Sequence, residues 1–103
     1  MKKIIDGKRY DTATAEKIAK WSNNYYPNDF NYMEETLYRT RKGAWFLHGE
    51  GGGLSRYAQS YGNSSGWGSD LRVLTPAEAR AWLEKRDCPD ELEEYFGGEI
   101  VDA

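Results

Sequence analysis

The stretch that decides the fold is Tyr32-Met33-Glu34-Glu35-Thr36-Leu37-Tyr38-Arg39-Thr40-Arg41-Lys42-Gly43-Ala44-Trp45-Phe46-Leu47-His48. Two runs containing aromatic and β-branched residues flank the polar tripeptide Arg41-Lys42-Gly43, the pattern of a β-hairpin. On the first strand Met33, Glu35, Leu37 and Arg39 alternate with Tyr32, Glu34, Thr36 and Tyr38. On the second, Trp45 and Leu47 face away from Phe46 and His48. Neither face is wholly polar, so both are expected to be partly covered.

The neighbouring segments supply the covering elements. Ile4 to Tyr10 reads as a small hairpin, because Asp6-Gly7 suits a type I′ turn in which both central positions have positive φ. Thr12 to Ser22 reads as a helix capped by Thr12 or Asp11, with Ala15, Ile18, Ala19 and Ser22 on one face. Residues 23–29 are a loop by composition, and Pro27 discourages helix at Tyr26. After the central hairpin, Gly49-Glu50-Gly51-Gly52-Gly53 is expected to break the strand. Leu54, Tyr57, Ala58 and Tyr61 have helical spacing, and Gly62 stands where a helix would end. Residues 62–69 read as a loop, and residues 71–74 as a short strand. Thr75-Pro76-Ala77-Glu78 is a capping box, opening a helix to about Arg86 with Ala79, Trp82 and Leu83 inward. Cys88-Pro89-Asp90-Glu91 opens another, with Leu92 and Phe96 inward and Gly97-Gly98 at its end. The expected fold is one α+β domain over residues 1–103, an antiparallel sheet built on the central hairpin with three to four short helices packed against it.

Composition narrows the function classes. The 103 residues include four Trp, eight Tyr and three Phe, too many aromatics for a disordered chain. One Cys cannot close an intrachain disulfide, and with one His it cannot complete a four-ligand Cys/His zinc site. No run of about 20 apolar residues is present to span a bilayer. The first residues lack the apolar stretch of a secretory signal, so a cytoplasmic location is expected. Net charge is −3, which speaks against coating duplex nucleic acid by overall charge. That figure conceals an asymmetry: residues 1–43 are net +3, whereas residues 84–103 are net −6.

Several constellations are candidates for chemistry. The Gly-rich run lacks the Lys-Ser/Thr of a phosphate loop, and Glu50 within it would repel phosphate, so tight backbone turns explain the glycines. His48 and Glu50 lie two apart on one strand face and form the candidate acid–base or metal pair, but their spacing demands neither. Ser55, Ser60, Ser64, Ser65 and Ser69 follow His48, and none is read as the nucleophile of a G-x-S-x-G elbow. Cys88 is read as a helix N-cap or core residue. The expectation is therefore a non-enzyme with no catalytic residues, no metal and no cofactor.

Two surfaces remain. Tyr25, Tyr26, Asp29, Phe30 and Trp67 lie in loops and are largely of the types that anchor protein interfaces. With the acidic residues Asp90, Glu91, Glu93 and Glu94 they form the candidate contact for a protein partner with a basic surface. Lys2, Lys3, Lys8, Arg9, Arg39, Arg41 and Lys42 cluster at hairpin ends near Tyr10, Tyr38 and Trp45, and the alternative is single-stranded nucleic acid, with Arg39, Arg41 and Lys42 on phosphate and Tyr38 and Trp45 under the bases.

Asp29-Phe30-Asn31-Tyr32, Glu35-Thr36-Leu37-Tyr38-Arg39-Thr40 and Gly43-Ala44-Trp45-Phe46-Leu47-His48-Gly49-Glu50-Gly51-Gly52 together make a longer pattern. It resembles a family of small acidic proteins carried by bacteria, their plasmids and phages. The resemblance spans nearly the whole chain and brings no catalytic residues. It implies a mobile-element accessory protein, and, from that setting, an inhibitor of a host defence complex of the anti-CRISPR kind.

Overall fold

The computed structural model describes all 103 residues. Its frame is a four-stranded antiparallel sheet in the order β3-β4-β5-β8, formed by β3 (Glu16–Ser22), β4 (Met33–Arg39), β5 (Trp45–Gly51) and β8 (Gly68–Leu74). Two-stranded ribbons flank it, β1 (Lys2–Ile5) with β2 (Lys8–Asp11), and β6 (Gln59–Tyr61) with β7 (Ser64–Gly66). Helices α1 (Pro76–Lys85) and α2 (Pro89–Phe96) follow, and a single 3₁₀ turn spans Gly97–Glu99.

The central hairpin forms as its alternation requires, with Leu37 opposite Leu47 and Arg39 opposite Trp45. Both faces are covered. Leu37, Trp45, Leu47 and Leu74 pack beneath Ala79, Trp82, Leu83 and Phe96 of the helices. On the reverse face Phe46 and Leu71 bury against Tyr10, brought there by the β1–β2 ribbon. The turn of that ribbon has Asp6 at φ 52° and Gly7 at φ 74°, the left-handed pair that Asp-Gly favours. The α1 capping box is complete: the Glu78 N–H donates to the Thr75 hydroxyl at 3.1 Å, and the Thr75 N–H donates to the Glu78 carboxylate at 2.9 Å.

The helical content departs from expectation, with two α-helices in place of three to four. Residues 12–22 are not a helix. Their second half is edge strand β3, because β4 needs a hydrogen-bonding neighbour on that side. The helical spacing has a local cause. A bulge between Lys17 and Ala19 breaks the two-residue period, so Ile18, Ala19 and Trp21 all reach the same core. The helix expected at residues 54–61 is absent too. Leu54 and Tyr61 are exposed while Tyr57 turns inward, so these residues share no apolar face. The 62–69 loop is instead the β6–β7 ribbon and the start of β8, and the glycine run does not end β5, which continues to Gly51.

Candidate functional site

Two loops close the end of the sheet where Met33 pairs with Gly51. Polar side chains hold the 23–32 loop: Asn23 donates to the Asn31 carbonyl at 2.8 Å and accepts from the Met33 N–H at 3.1 Å. The Asp29 carboxylate accepts from the Asn31 N–H at 2.7 Å. With the backbone satisfied this way, the loop's aromatics are free to point outward. The Leu54 N–H donates to the Phe30 carbonyl at 2.8 Å, and the Gly52 N–H to the Tyr32 carbonyl at 2.9 Å. These bonds join the 52–58 segment to the first loop.

The result is a concentrated apolar exposure. Tyr26, Phe30 and Leu54 are 81%, 72% and 70% exposed, with Tyr25 half exposed beside them. A shallow recess of about 410 Å³ lies among Tyr26, Asn28, Asp29, Phe30 and Asn31. Trp67 stacks on Tyr32 at 5.8 Å between centroids and keeps one side open. The expected residues Tyr25, Tyr26, Asp29 and Phe30 thus share one loop, and Trp67 stacks on its last residue. Leu54, read from its spacing as part of a short helix, is not among the expected contact residues.

Carboxylates lie next to this end. Glu34 and Glu50 are directly opposed on β4 and β5 and are hydrogen-bonded to one another. The Tyr32 hydroxyl donates to Glu34 at 2.5 Å, and Lys20 pairs with it at 3.2 Å. The hydrogen bond from Glu50, aided by those from Tyr32 and Lys20 and opposed by burial, holds Glu34 down at about 2. The same bond pushes the Glu50 carboxyl up, with burial and the Glu34 charge adding to it. Accepting its proton, Glu34 pushes the Tyr32 phenol up to about 12.

This pair gives a signed pH dependence. A raised carboxyl pKa means that the folded state holds the Glu50 proton more tightly than the unfolded chain does. The resulting stability is complete below the ordinary carboxylate range and is lost as pH rises through the raised value. Glu50→Gln keeps a donor toward Glu34 without the charge. It should raise the melting temperature by ~2–4 °C at about pH 8 and by nothing at about pH 4, read by scanning calorimetry.

His48 is on the same face as Glu50, as the strand period requires, but Glu50 faces Glu34 across the strand pair. Burial lowers the His48 pKa, helped by the N-terminal ammonium and opposed by Glu34 and Asp70. No three His, Cys, Asp or Glu side chains converge in a way that could hold a metal ion. Gly62-Asn63-Ser64-Ser65-Gly66 does have G-x-S-x-G spacing, contrary to the reading of the serines above. It forms the β6–β7 ribbon rather than a strand-to-helix elbow, and the Ser64 hydroxyl donates to the Tyr61 carbonyl. Cys88 is the α2 N-cap residue without a side-chain cap bond, and burial with Glu91 and Asp87 pushes its thiol pKa up.

The acidic candidates lie elsewhere. Asp90, Glu91, Glu93 and Glu94 belong to α2, which packs through Leu92, Tyr95 and Phe96 on the end of the sheet where Arg39 pairs with Trp45. A seven-residue strand separates that end from the aromatic loops, roughly 20 Å. The acids and the aromatics are therefore two surfaces rather than one.

The nucleic-acid candidates are divided as well. Trp45 is 4% exposed, stacked on Phe96 at 5.3 Å and met edge-on by Tyr95. The Arg39 guanidinium lies 5.3 Å from the Trp45 ring and 5.6 Å from that of Tyr95. Tyr38 stacks on Phe46. Trp45 and Arg39 are engaged structurally, since a base cannot stack on a buried ring, whereas Tyr38 is half-buried with one face on Phe46. Arg41 and Lys42 are exposed on the turn.

No helix is long and apolar enough to cross a membrane. Comparison of the chain with family models, curated proteins and solved structures finds no match.

Proposed function

We propose that this chain is a non-enzymatic protein-binding module whose principal contact is the aromatic end of the sheet. The observation that carries the reading is the exposure of Tyr25, Tyr26, Phe30 and Leu54 on two loops tied together by the Leu54–Phe30 backbone bond. Loops fixed by their own hydrogen bonds lose little freedom on binding, which favours them as a docking surface. Asp29, Glu34 and Glu50 make the surroundings electronegative, and open tyrosine and phenylalanine rings attract cations. The partner of matching chemistry is a protein that presents Arg or Lys beside an apolar patch. The exposed acids of α2 offer a second contact to the same kind of basic surface. A nucleic-acid-handling defence complex has such surfaces, and the resemblance to mobile-element proteins favours that partner class.

The test is affinity capture from bacterial lysate with wild-type protein and two variants, followed by quantitation of binding to the basic protein recovered. Tyr26→Ala with Phe30→Ala should weaken binding at least ~30-fold, the effect of losing one strong anchor. Its melting temperature should be unchanged, because both side chains are exposed. Charge reversal at Glu93 and Glu94 separates the two surfaces. If the aromatic variant binds as wild type and the charge-reversed one does not, the acidic helix is the principal contact. Equal binding by both variants, or no specific capture, removes the reading.

A further inference from the structure

The β1–β2 turn and the β4–β5 turn together enclose a cleft of about 600 Å³ at the opposite end of the sheet from the aromatic loops. Lys8 and Arg9 line it from one turn, Arg41 and Lys42 from the other, with the hydroxyls of Thr14 and Thr40 between them. All four cations are exposed. None takes part in an ion pair; the five pairs of the molecule involve Lys3, Lys20, Arg56, Arg80 and Arg86. The one acid in the lining is Asp11, whose carboxylate already accepts from the Ala13 N–H at 2.9 Å. A chain of net charge −3 therefore gathers four unneutralised cations around one concavity. Buried Tyr10 contributes a low-dielectric wall, which focuses their field.

Two guanidinium forks and two ammonium groups suit phosphate, which accepts bidentate hydrogen bonds and more than one charge. Four cations divided between two turns fit successive phosphates better than a single anion. The wall offers no open ring, since Tyr10 is 5% exposed and meets Phe46 edge-on. Recognition must therefore act on phosphates and not on bases. A flexible single strand can follow such a concavity, whereas duplex DNA, stiff over about 150 base pairs, bends into it only at a cost in energy.

We infer that this cleft binds the phosphodiester backbone of single-stranded nucleic acid, without sequence preference, through Lys8, Arg9, Arg41 and Lys42. The site differs from the one expected from sequence. Of the basic residues expected at hairpin ends it keeps Lys8, Arg9, Arg41 and Lys42, while Arg39, Tyr38 and Trp45 do not line it.

The test is fluorescence anisotropy with labelled oligothymidylate and oligoadenylate across a salt series. Four neutralised phosphates give a slope of log K against log salt near −2.8, a loss of ~50-fold between about 50 and 200 mM salt. Arg41→Ala with Lys42→Ala should halve the slope to about −1.4 while the melting temperature holds, because both side chains are exposed. Lys85→Ala, on α1 and outside the cleft, should leave it unchanged. Equal affinity for the two oligonucleotides supports backbone recognition, and strong preference for one overturns it. Tripolyphosphate is titrated separately by isothermal calorimetry. If it binds while the oligonucleotides do not, the cleft is a small-polyphosphate site and the inference fails. Absence of oligonucleotide binding at low salt, or an unchanged slope in the double variant, also overturns it.

Discussion

Glu35→Ala is expected to reduce the free energy of unfolding by about 3–5 kcal/mol, measured by urea denaturation followed through tryptophan fluorescence. Glu35 is 1% exposed, on the helix-covered face of β4 between Met33 and Leu37. Its carboxylate accepts from the Trp82 indole N–H at 3.0 Å, from Arg86 at 3.1 Å and from the Tyr57 hydroxyl at 2.5 Å. Arg56 approaches to 3.8 Å. Burial alone would push this carboxyl up. The hydrogen bonds from Tyr57, Trp82 and Arg86, with the charge of Arg86, outweigh it and hold the group below the usual carboxylate range. Truncation to alanine leaves Arg86 with an uncompensated charge over the Trp21 ring, where its guanidinium lies 3.4 Å from the centroid. It also strands the Tyr57 hydroxyl and the Trp82 indole N–H, both of which donate to Glu35. For a domain of this length the whole stability is about 5–15 kcal/mol, so the variant loses a large share of it. Glu35→Gln, which keeps the shape and an acceptor, should lose less. The folded carboxyl is held low, so its contribution is present above the ordinary carboxylate range. It fades as pH falls through the lowered value, and the penalty of Glu35→Ala shrinks with it.

Gly49→Ala is expected to lose about 3 kcal/mol by the same measurement, although it adds one methyl group to a strand. Gly49 pairs directly with Glu35 across the sheet. The Tyr57 ring lies where a Gly49 Cβ would be, closer than any real carbon contact allows. The missing side chain is the space through which Tyr57 reaches Glu35. A methyl group there displaces the ring and breaks its hydrogen bond, adding the cost of an under-satisfied buried carboxylate to that of overpacking. The two sites should be coupled. Tyr57→Phe combined with Gly49→Ala should lose clearly less than the sum of the single losses, and strict additivity would show that Gly49 acts by another route.

Elements set by neighbouring residues were legible in the sequence. The central hairpin, the Asp6-Gly7 turn and the Thr75–Glu78 capping box each depend on signals within a few residues, and each formed. Segments whose partners lie far along the chain were not. Residues 12–22 carry a helical spacing produced by a bulge, and the edge of β4 outweighed any local propensity for helix. The 54–61 segment has apolar residues at helical intervals, but one of them, Tyr57, answers to Glu35, twenty-two residues away, while Leu54 and Tyr61 stay exposed. The loop aromatics could be recognised as open from their polar, Pro-containing surroundings. That Arg41 and Lys42 stand beside Lys8 and Arg9 over one cleft required the packing of the N-terminal ribbon. Glu35 did leave a trace, as an acid in an alternation otherwise shared by Met33 and Leu37. Nothing local named Trp82 and Arg86 as its partners.

The bulge in β3 has a further effect, on the company the protein keeps. The sheet ends at β3, and a regular edge strand is a template on which a second chain can continue the hydrogen-bond ladder. Between Lys17 and Ala19 the repeat of β3 is interrupted, and Glu16, Lys17 and Lys20 are exposed along it. A strand arriving in register meets a broken spacing of donors and acceptors and must desolvate charge to dock. The irregularity that disguised this segment in the sequence thus protects a crowded solution of the protein from growing into fibrils along that edge.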